Sequence, residues 1–412
     1  MWQRLNAPVL LTLLAALHVA TCAEAASLSR RCRKVCRGDI TACVAAGEHL
    51  HACRKSRLGR CKREGVAVCH GRRTTTTSTT TPGSTTSTTT RPAACNGACP
   101  IHTVFVVLLE NHDWLSIKNS PSAPYINNTL LPMASHAEQY YNPPGVHPSA
   151  PNYLWLEAGT NFGILNDDDP ASNHQRTTSH LVTLLEAAGL SWRSYQEDVS
   201  GIDCPLTNVD LYDVNHDPFV YFDDVTLAND SNALRCIHHV RPYSELQGDL
   251  SNNTVARYNF ITPNLCNDMH NACDPLQDPV HQGDAWLSSE VPKVLASQAY
   301  ADNGALFILW DEAESGDGPI GMIVLSPRAK GGGYANTIHY THSSTLRTIE
   351  EIFGLTPMLG DAVNATDLSD LFVSFPVGCR HRSPAMIAPS RRGPTGTTAH
   401  LSPSRSRHPV GR

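Results

Sequence analysis

No stretch of this chain stays apolar for the roughly 18 residues that a membrane-spanning helix needs, and none of its 14 cysteines forms a CxxC pair. Basic side chains are scarce over its longest segment, where residues 95–379 hold 10 Lys and Arg against 34 Asp and Glu. These absences exclude a spanning segment and argue against a zinc ribbon. They also exclude nucleic-acid binding by that segment, because a net charge near −24 repels a phosphate backbone. So many carboxylates with so few counter-charges either form a solvated acidic surface or include a site whose cation offsets several of them.

The flanks are different in kind. Residues 1–25 combine Arg4, an apolar core and the small-residue run AEAA, the build of a secretory signal peptide, so they are set apart from the fold. Export to a secreted, periplasmic or cell-surface location is the expectation; Thr21 directly before Cys22 disfavours a lipid anchor there. Residues 26–73 carry Cys32, Cys36, Cys43, Cys53, Cys61 and Cys69, an even set read as three bridges between short helices. From Ser27 to Arg73 there are 13 Lys and Arg against 3 Asp and Glu; this module and the basic tail are candidate contacts for an anionic surface, with a solvated basic face as the plainer account. Residues 74–94 are a Thr-rich linker that cannot bury a core, and residues 380–412, with seven Arg and no acid, read as a disordered basic tail.

Residues 95–379 are long enough for one large domain. TVFVVLL (103–109) is a run typical of a strand buried on both faces, and it ends abruptly in Glu110, Asn111, His112 and Asp113. RYNFITP (257–263) likewise leads to Asp268 and His270, and ALFILW (305–310) leads straight into Asp311 and Glu312, with IGMIVLSP (320–327) as the next strand. Helix-like stretches lie between them: TSHLVTLLEAAGL (178–190), with Ser179 as cap, and STLRTIEEIFGL (344–355). Alternation of this kind predicts an α/β fold, a mainly parallel sheet flanked by helices on both faces, preceded by the small disulfide-rich helical module. In such sheets ligand groups collect beyond the carboxyl ends of the strands. Glu110, Asn111, Asp268, His270, Asp311, Glu312 and His342 there form a donor mixture suited to a divalent metal ion. Ser149 in GVHPSAPNYLWLEAG (145–159) is a candidate nucleophile between two prolines, with a helix starting near Asn152.

TVFVVLLENHDW, HPSAPNYLWLEAG, YNFITPNLCNDMH, LWDEAESGD and HYTHSSTLRTIEEIFGL, in that order, resemble the phosphoesterase family that contains secreted acid phosphatases and phosphatidylcholine-type phospholipases C, within the alkaline phosphatase superfamily. The resemblance implies an alkaline-phosphatase-like fold and hydrolysis of phosphate esters, with Glu110, Asn111, Asp311 and Glu312 in one half of a metal site. It implies Asp268, His270 and His342 in the other half or at the phosphate, Ser149 as nucleophile through a phosphoserine, and Asn152 against a phosphoryl oxygen. Metal identity and number stay open. A phosphomonoesterase, with phosphoinositides among its candidate substrates, ranks ahead of a phospholipase C, whose lipid would need an apolar wall such as Trp155, Phe162 and FVYF (219–222). A catalytically degenerate surface-binding protein is the reading from another class. The expected pairings are Cys266 with Cys273, Cys204 with Cys236 and Cys95 with Cys99, leaving Cys379 single.

Overall fold

A computed structural model of the chain describes residues 101–375. The leader, the six-cysteine module, the Thr-rich linker, the basic tail, Cys95, Cys99 and Cys379 lie outside the described residues.

Ten strands are present among the described residues: β1 (Thr103–Leu109), β2 (Ser135–Ala137), β3 (Tyr140–Tyr141), β4 (Trp192–Gln196), β5 (Val240–Pro242), β6 (Tyr258–Thr262), β7 (Gly304–Trp310), β8 (Met322–Leu325), β9 (Tyr334–Asn336) and β10 (Tyr340–Thr341). Eight of them form one sheet in the order β5-β4-β6-β1-β7-β8-β2-β9. The five strands from β5 to β7 run parallel, while β8 is antiparallel to both β7 and β2. Every residue of β1 and of β7 is buried. Successive side chains on a strand point to opposite faces, so both faces of the sheet centre are covered, as the unbroken apolar runs predict.

The longest helices among the described residues are α1 (Ser149–Ala158), α2 (Leu181–Ala187), α3 (Pro279–Leu295) and α4 (His342–Phe353). Helix α1 begins at Ser149 itself, three residues earlier than expected, because Pro148 and Pro151 fall where a helix has no use for an N–H: just before its start and in its first turn. It closes on Gly159 at φ +68, where an added Cβ would lie 2.6 Å from the Leu359 carbonyl oxygen. Only glycine fits that crossing. Helix α4 starts with a capping box between Thr341 and Ser344. In α2 the N-cap is His180 rather than the expected Ser179, and its side chain caps nothing, being committed to Glu157 and Asp224 instead. Two disulfides are formed, Cys204–Cys236 and Cys266–Cys273, the pairs expected within the described residues.

Candidate active site

Register is what brings the acids together. Strands β1 and β7 are aligned so that Leu109 faces Trp310, and the next residue on each strand is Glu110 and Asp311. The Asp311 amide donates to the Leu109 carbonyl at 2.9 Å, and the Asn111 amide donates to Asp311 Oδ1 at 3.0 Å. On the other side of β1, the loop after β6 returns so that the Glu110 amide donates to the Asp268 carbonyl at 2.8 Å. Glu110, Asp268 and Asp311 are all completely buried. Asn111 sits at φ +50, a left-handed conformation that asparagine tolerates better than most residues, and this turns the chain sharply as it leaves β1.

Helix α1 points its first residue at this edge. The Ser149 hydroxyl donates to Glu110 Oε2 at 3.0 Å, and one turn further on the Tyr153 hydroxyl donates to Glu110 Oε1. Asn152 Nδ2 donates to the carbonyls of Val146 and Pro148 and to Glu312 Oε2, the last at 2.9 Å. That amide therefore ties the loop before Ser149 to the strand end of β7, and its contacts are internal. Glu312 Oε2 also lies 2.8 Å from His147 Nδ1.

His216 completes the group, and nothing in the sequence pattern singles it out. It is buried in a single 3-10 turn, Val214–His216, within the insertion between β4 and β5 that Cys204–Cys236 closes. Its Nε2 lies 3.5 Å from Glu110 Oε1, its Nδ1 lies 3.2 Å from Asp268 Oδ2, and its ring stacks on Tyr153 with centroids 5.2 Å apart. The only local hint is a histidine set between acids in DVNHDP (213–218).

The expected histidines take other positions. His216, not His270, faces Asp268; His270 is exposed, its amide donates to Asp268 Oδ1 at 2.9 Å, and its ring centroid is 5.8 Å from that of His216. His342 is buried behind Asp311, where its Nε2 is hydrogen-bonded to the Asp311 carbonyl and its Nδ1 lies 3.1 Å from the Tyr140 hydroxyl. Burial pushes that ring down to about 4, so it is neutral, donating to the carbonyl and accepting from the tyrosine. It acts as a strut under the strand end.

The cluster is over-supplied with negative charge. Among the described residues, the only basic side chains within 4.0 Å of Glu110, Asp268, Asp311 and Glu312 are the histidines His147 and His216. Burial, then Asp311 and Asp268, push the Glu110 carboxyl well above the usual range. Burial and then Asp311 and Asp167 push Glu312 up to about 9. Burial raises Asp268 against the pull of His216. For His216 burial favours the neutral ring, but Asp268, Asp213 and Asp311 outweigh it and raise its pKa. Asp311 Oδ2 is buried and has no hydrogen-bond partner. These features fit a divalent cation. Glu110, His216 and Asp268 each offer one ligand atom, all within 4.8 Å of one another, and Asp311 and Glu312 bring further carboxylates, and Asn111 an amide, at the ends of β7 and β1. Imidazole with several carboxylates suits zinc, manganese or a similar ion.

Comparison with known proteins identifies the family. Residues 123–356 match the model of the phosphoesterase family, a segment that starts beyond Glu110 and Asn111 and takes in Ser149, Asn152, His216, Asp268, Asp311 and Glu312. A phosphatidylinositol-3-phosphatase of Mycobacterium tuberculosis is 29% identical over 270 residues, covering 65% of this chain and 82% of that protein. An acid phosphatase of Aspergillus niger is 29% identical over 228 residues, covering 52% of this chain and 50% of that protein, so the chain spans about half the length of that fungal relative. A solved protein of the alkaline phosphatase superfamily from Vibrio parahaemolyticus aligns at 11% identity with a TM-score of 0.43, covering 66% of this chain and 72% of that one. With more than half of its length matched by the family model, and with a serine, an asparagine and four buried acids gathered at the sheet edge, the chain belongs to the phosphoesterase family and is a phosphoric ester hydrolase.

Proposed function

We propose that this is a divalent-metal-dependent phosphomonoesterase of the acid phosphatase type, exported from the cell, with Ser149 as its nucleophile. The observation that carries the reading is the Ser149 hydroxyl, at the first residue of a ten-residue helix, donating to Glu110 at 3.0 Å within a buried group of acids. That hydrogen bond directs the proton toward a carboxylate and leaves the oxygen lone pairs facing the substrate. The Oγ–P bond forms as the alcohol leaves, the leaving oxygen takes a proton, and water then cleaves the phosphoserine to release phosphate and restore the hydroxyl. His270, exposed at the rim, is the candidate to supply that proton. The Glu110, Asn111, Asp268, Asp311, Glu312 and His216 donors would hold the cation. When bound, it supplies the positive charge that a phosphoryl group needs among carboxylates.

A monoester is favoured over a lipid diester because the residues expected to supply an apolar wall for a lipid are engaged in internal contacts. Phe219, Val220, Tyr221 and Phe222 are wholly buried, Phe162 packs against Phe222, and the Trp155 indole donates to Ser343 Oγ. Phosphoinositides remain candidate substrates through their monoester phosphates, in line with what the mycobacterial relative is named for. The two disulfides and the leader-like residues 1–25 support export to an oxidising compartment. No helix among the described residues is long and apolar enough to cross a membrane.

The test compares hydrolysis of an aryl phosphomonoester and a bis-aryl phosphate by the full chain, with and without a chelator. Chelation should abolish monoester turnover, added metal should restore it, and Ser149→Ala should remove it while leaving the melting temperature within a few degrees. A chelator-insensitive enzyme would overturn the metal assignment. A clear preference for the diester would overturn the substrate class.

A further inference from the structure

Beyond the acids at the strand ends, one carboxylate reaches the helix turn that carries Ser149 from elsewhere. Asp167 lies on the loop that leaves the far end of α1 and doubles back along it, and its Oδ1 accepts the Ala150 amide at 2.9 Å. Ala150 is the residue after Ser149. The first turn of α1 has few main-chain donors to offer: Pro148 precedes the helix, Pro151 is its third residue, and neither has an N–H. The amides of Ser149 and Ala150 are therefore the two that a phosphoryl oxygen could meet beside the nucleophile, and Asp167 holds one of them.

We propose that Asp167 is a specificity-determining residue, an internal competitor that occupies the Ala150 amide until a substrate phosphoryl oxygen displaces it. The inference rests on the reading of Ser149 as nucleophile. A carboxylate and a phosphoryl oxygen are both anionic acceptors, and a helix N-terminus attracts either. The exchange asks little of the fold. The Asp167 side chain is exposed, while its neighbours are fixed: the Asp168 carbonyl accepts from the Tyr221 hydroxyl at 3.2 Å and from Asn173 Nδ2 at 3.0 Å, and the Asp169 carbonyl accepts the Ser172 amide. The side chain can swing away while the loop stays in place. Asp167 also acts on the site at longer range, since its charge is felt at Glu312 and that of Asp311 is felt at Asp167. The consequence is weaker hold on a bare phosphate ion, because product release restores the internal contact, so that a substrate must bring binding energy of its own to open the position.

The experiment uses the full chain with its metal and measures two quantities, the inhibition constant of inorganic phosphate and kcat/KM for an aryl phosphomonoester, in the wild type, Asp167→Ala and Asp167→Asn. Freed of a competing charge-assisted hydrogen bond, Asp167→Ala should bind phosphate about 5- to 10-fold more tightly and raise kcat/KM. Asp167→Asn, which keeps an acceptor without the charge, should move both in the same direction by less. A residue that merely supports the loop would give losses in both. Unchanged or weaker phosphate inhibition in both variants overturns the inference, and the Asn variant decides alone if the Ala variant melts early. A wild type that turns over no phosphate ester overturns the reading of Ser149 itself, which separates the two failures.

Discussion

The two ends of α1 each set a histidine between two carboxylates, with different results. At the far end Glu157, His180, Asp224 and Arg235 form a linked set: His180 Nδ1 lies 2.8 Å from Glu157 Oε1, its Nε2 lies 3.0 Å from Asp224 Oδ1, and Arg235 donates through Nη1 to Asp224 Oδ2 at 2.7 Å and through Nε to Glu186 Oε1 at 3.1 Å. The Val182 amide and the Thr183 hydroxyl donate to the same acids. Each acid that flanks His180 is in contact with a basic side chain. For Asp224, burial would raise the carboxyl, but His180 and Arg235 hold it well below the usual range. At the near end four buried acids meet only His216 and His147, and Glu110 is driven upward instead. Charge balance, more than burial or residue type, separates a structural network from a site that calls for a cation.

The largest test of that contrast is Asp311→Asn. In the presence of metal it should lower kcat/KM by about 10³-fold or more and reduce metal content measured by atomic emission. In the metal-stripped protein the same change should raise the melting temperature, because Asp311 is the neighbour whose charge most opposes ionisation of Glu110 and Glu312. A metal-free variant less stable than the metal-free wild type would break the comparison. Next comes His180→Ala, which leaves Glu157 and Asp224 facing each other. Removing one member of a buried charged set costs about 3–5 kcal/mol, readable as a lower denaturation midpoint, while metal content of the folded protein should be retained. A loss of metal with little loss of stability would make the far network part of the site.

The smallest effect expected is a pH dependence at the far end. For His180 burial favours the neutral ring, but Asp224 and Glu157 prevail and its pKa lies above the ordinary 6.5; burial likewise places Glu157 above its ordinary 4.5. Both groups hold more protons folded than unfolded, so stability is greatest on the acid side and declines as pH rises through their folded values. Each contributes a slope of at most about 1.4 kcal/mol per pH unit. Denaturation midpoints from pH 6 to 9 should fall in the wild type and fall less in Glu157→Gln. Parallel curves for the two proteins would remove Glu157 from the account.

Much of the near end was legible in the sequence because it hangs on the strands. Unbroken apolar runs identify β1 and β7, and the residue after each run, Glu110 or Asp311, is placed by the end of the strand. Asp268 was legible for a similar reason, with Cys266–Cys273 marking its loop as rigid. His216 was not, because a three-residue turn in a long insertion carries no periodic signal, and its approach to Glu110 depends on how the chain folds back between β4 and β5. The internal ties of Asn152 and His342 were hidden for the opposite reason. Their residue types suit a phosphate contact equally well, and only the positions of Glu312, the Val146 carbonyl and the Asp311 carbonyl decide where those side chains point.

The alignment of Leu109 with Trp310 has a consequence for how such a chain can change in length. Each strand residue advances about 3.3 Å and sends its side chain to the other face. A single inserted or deleted residue inside β1 or β7 would therefore either carry Glu110 or Asp311 a full step past its partner or turn it away. The connections are under no such rule: the segment from Glu110 to Ser149, 39 positions along the chain, and the long insertion holding His216 can lengthen or shorten provided their ends return to the same edge. Diversification by insertion belongs in those connections, and the two seven-residue strands are where the chain keeps count.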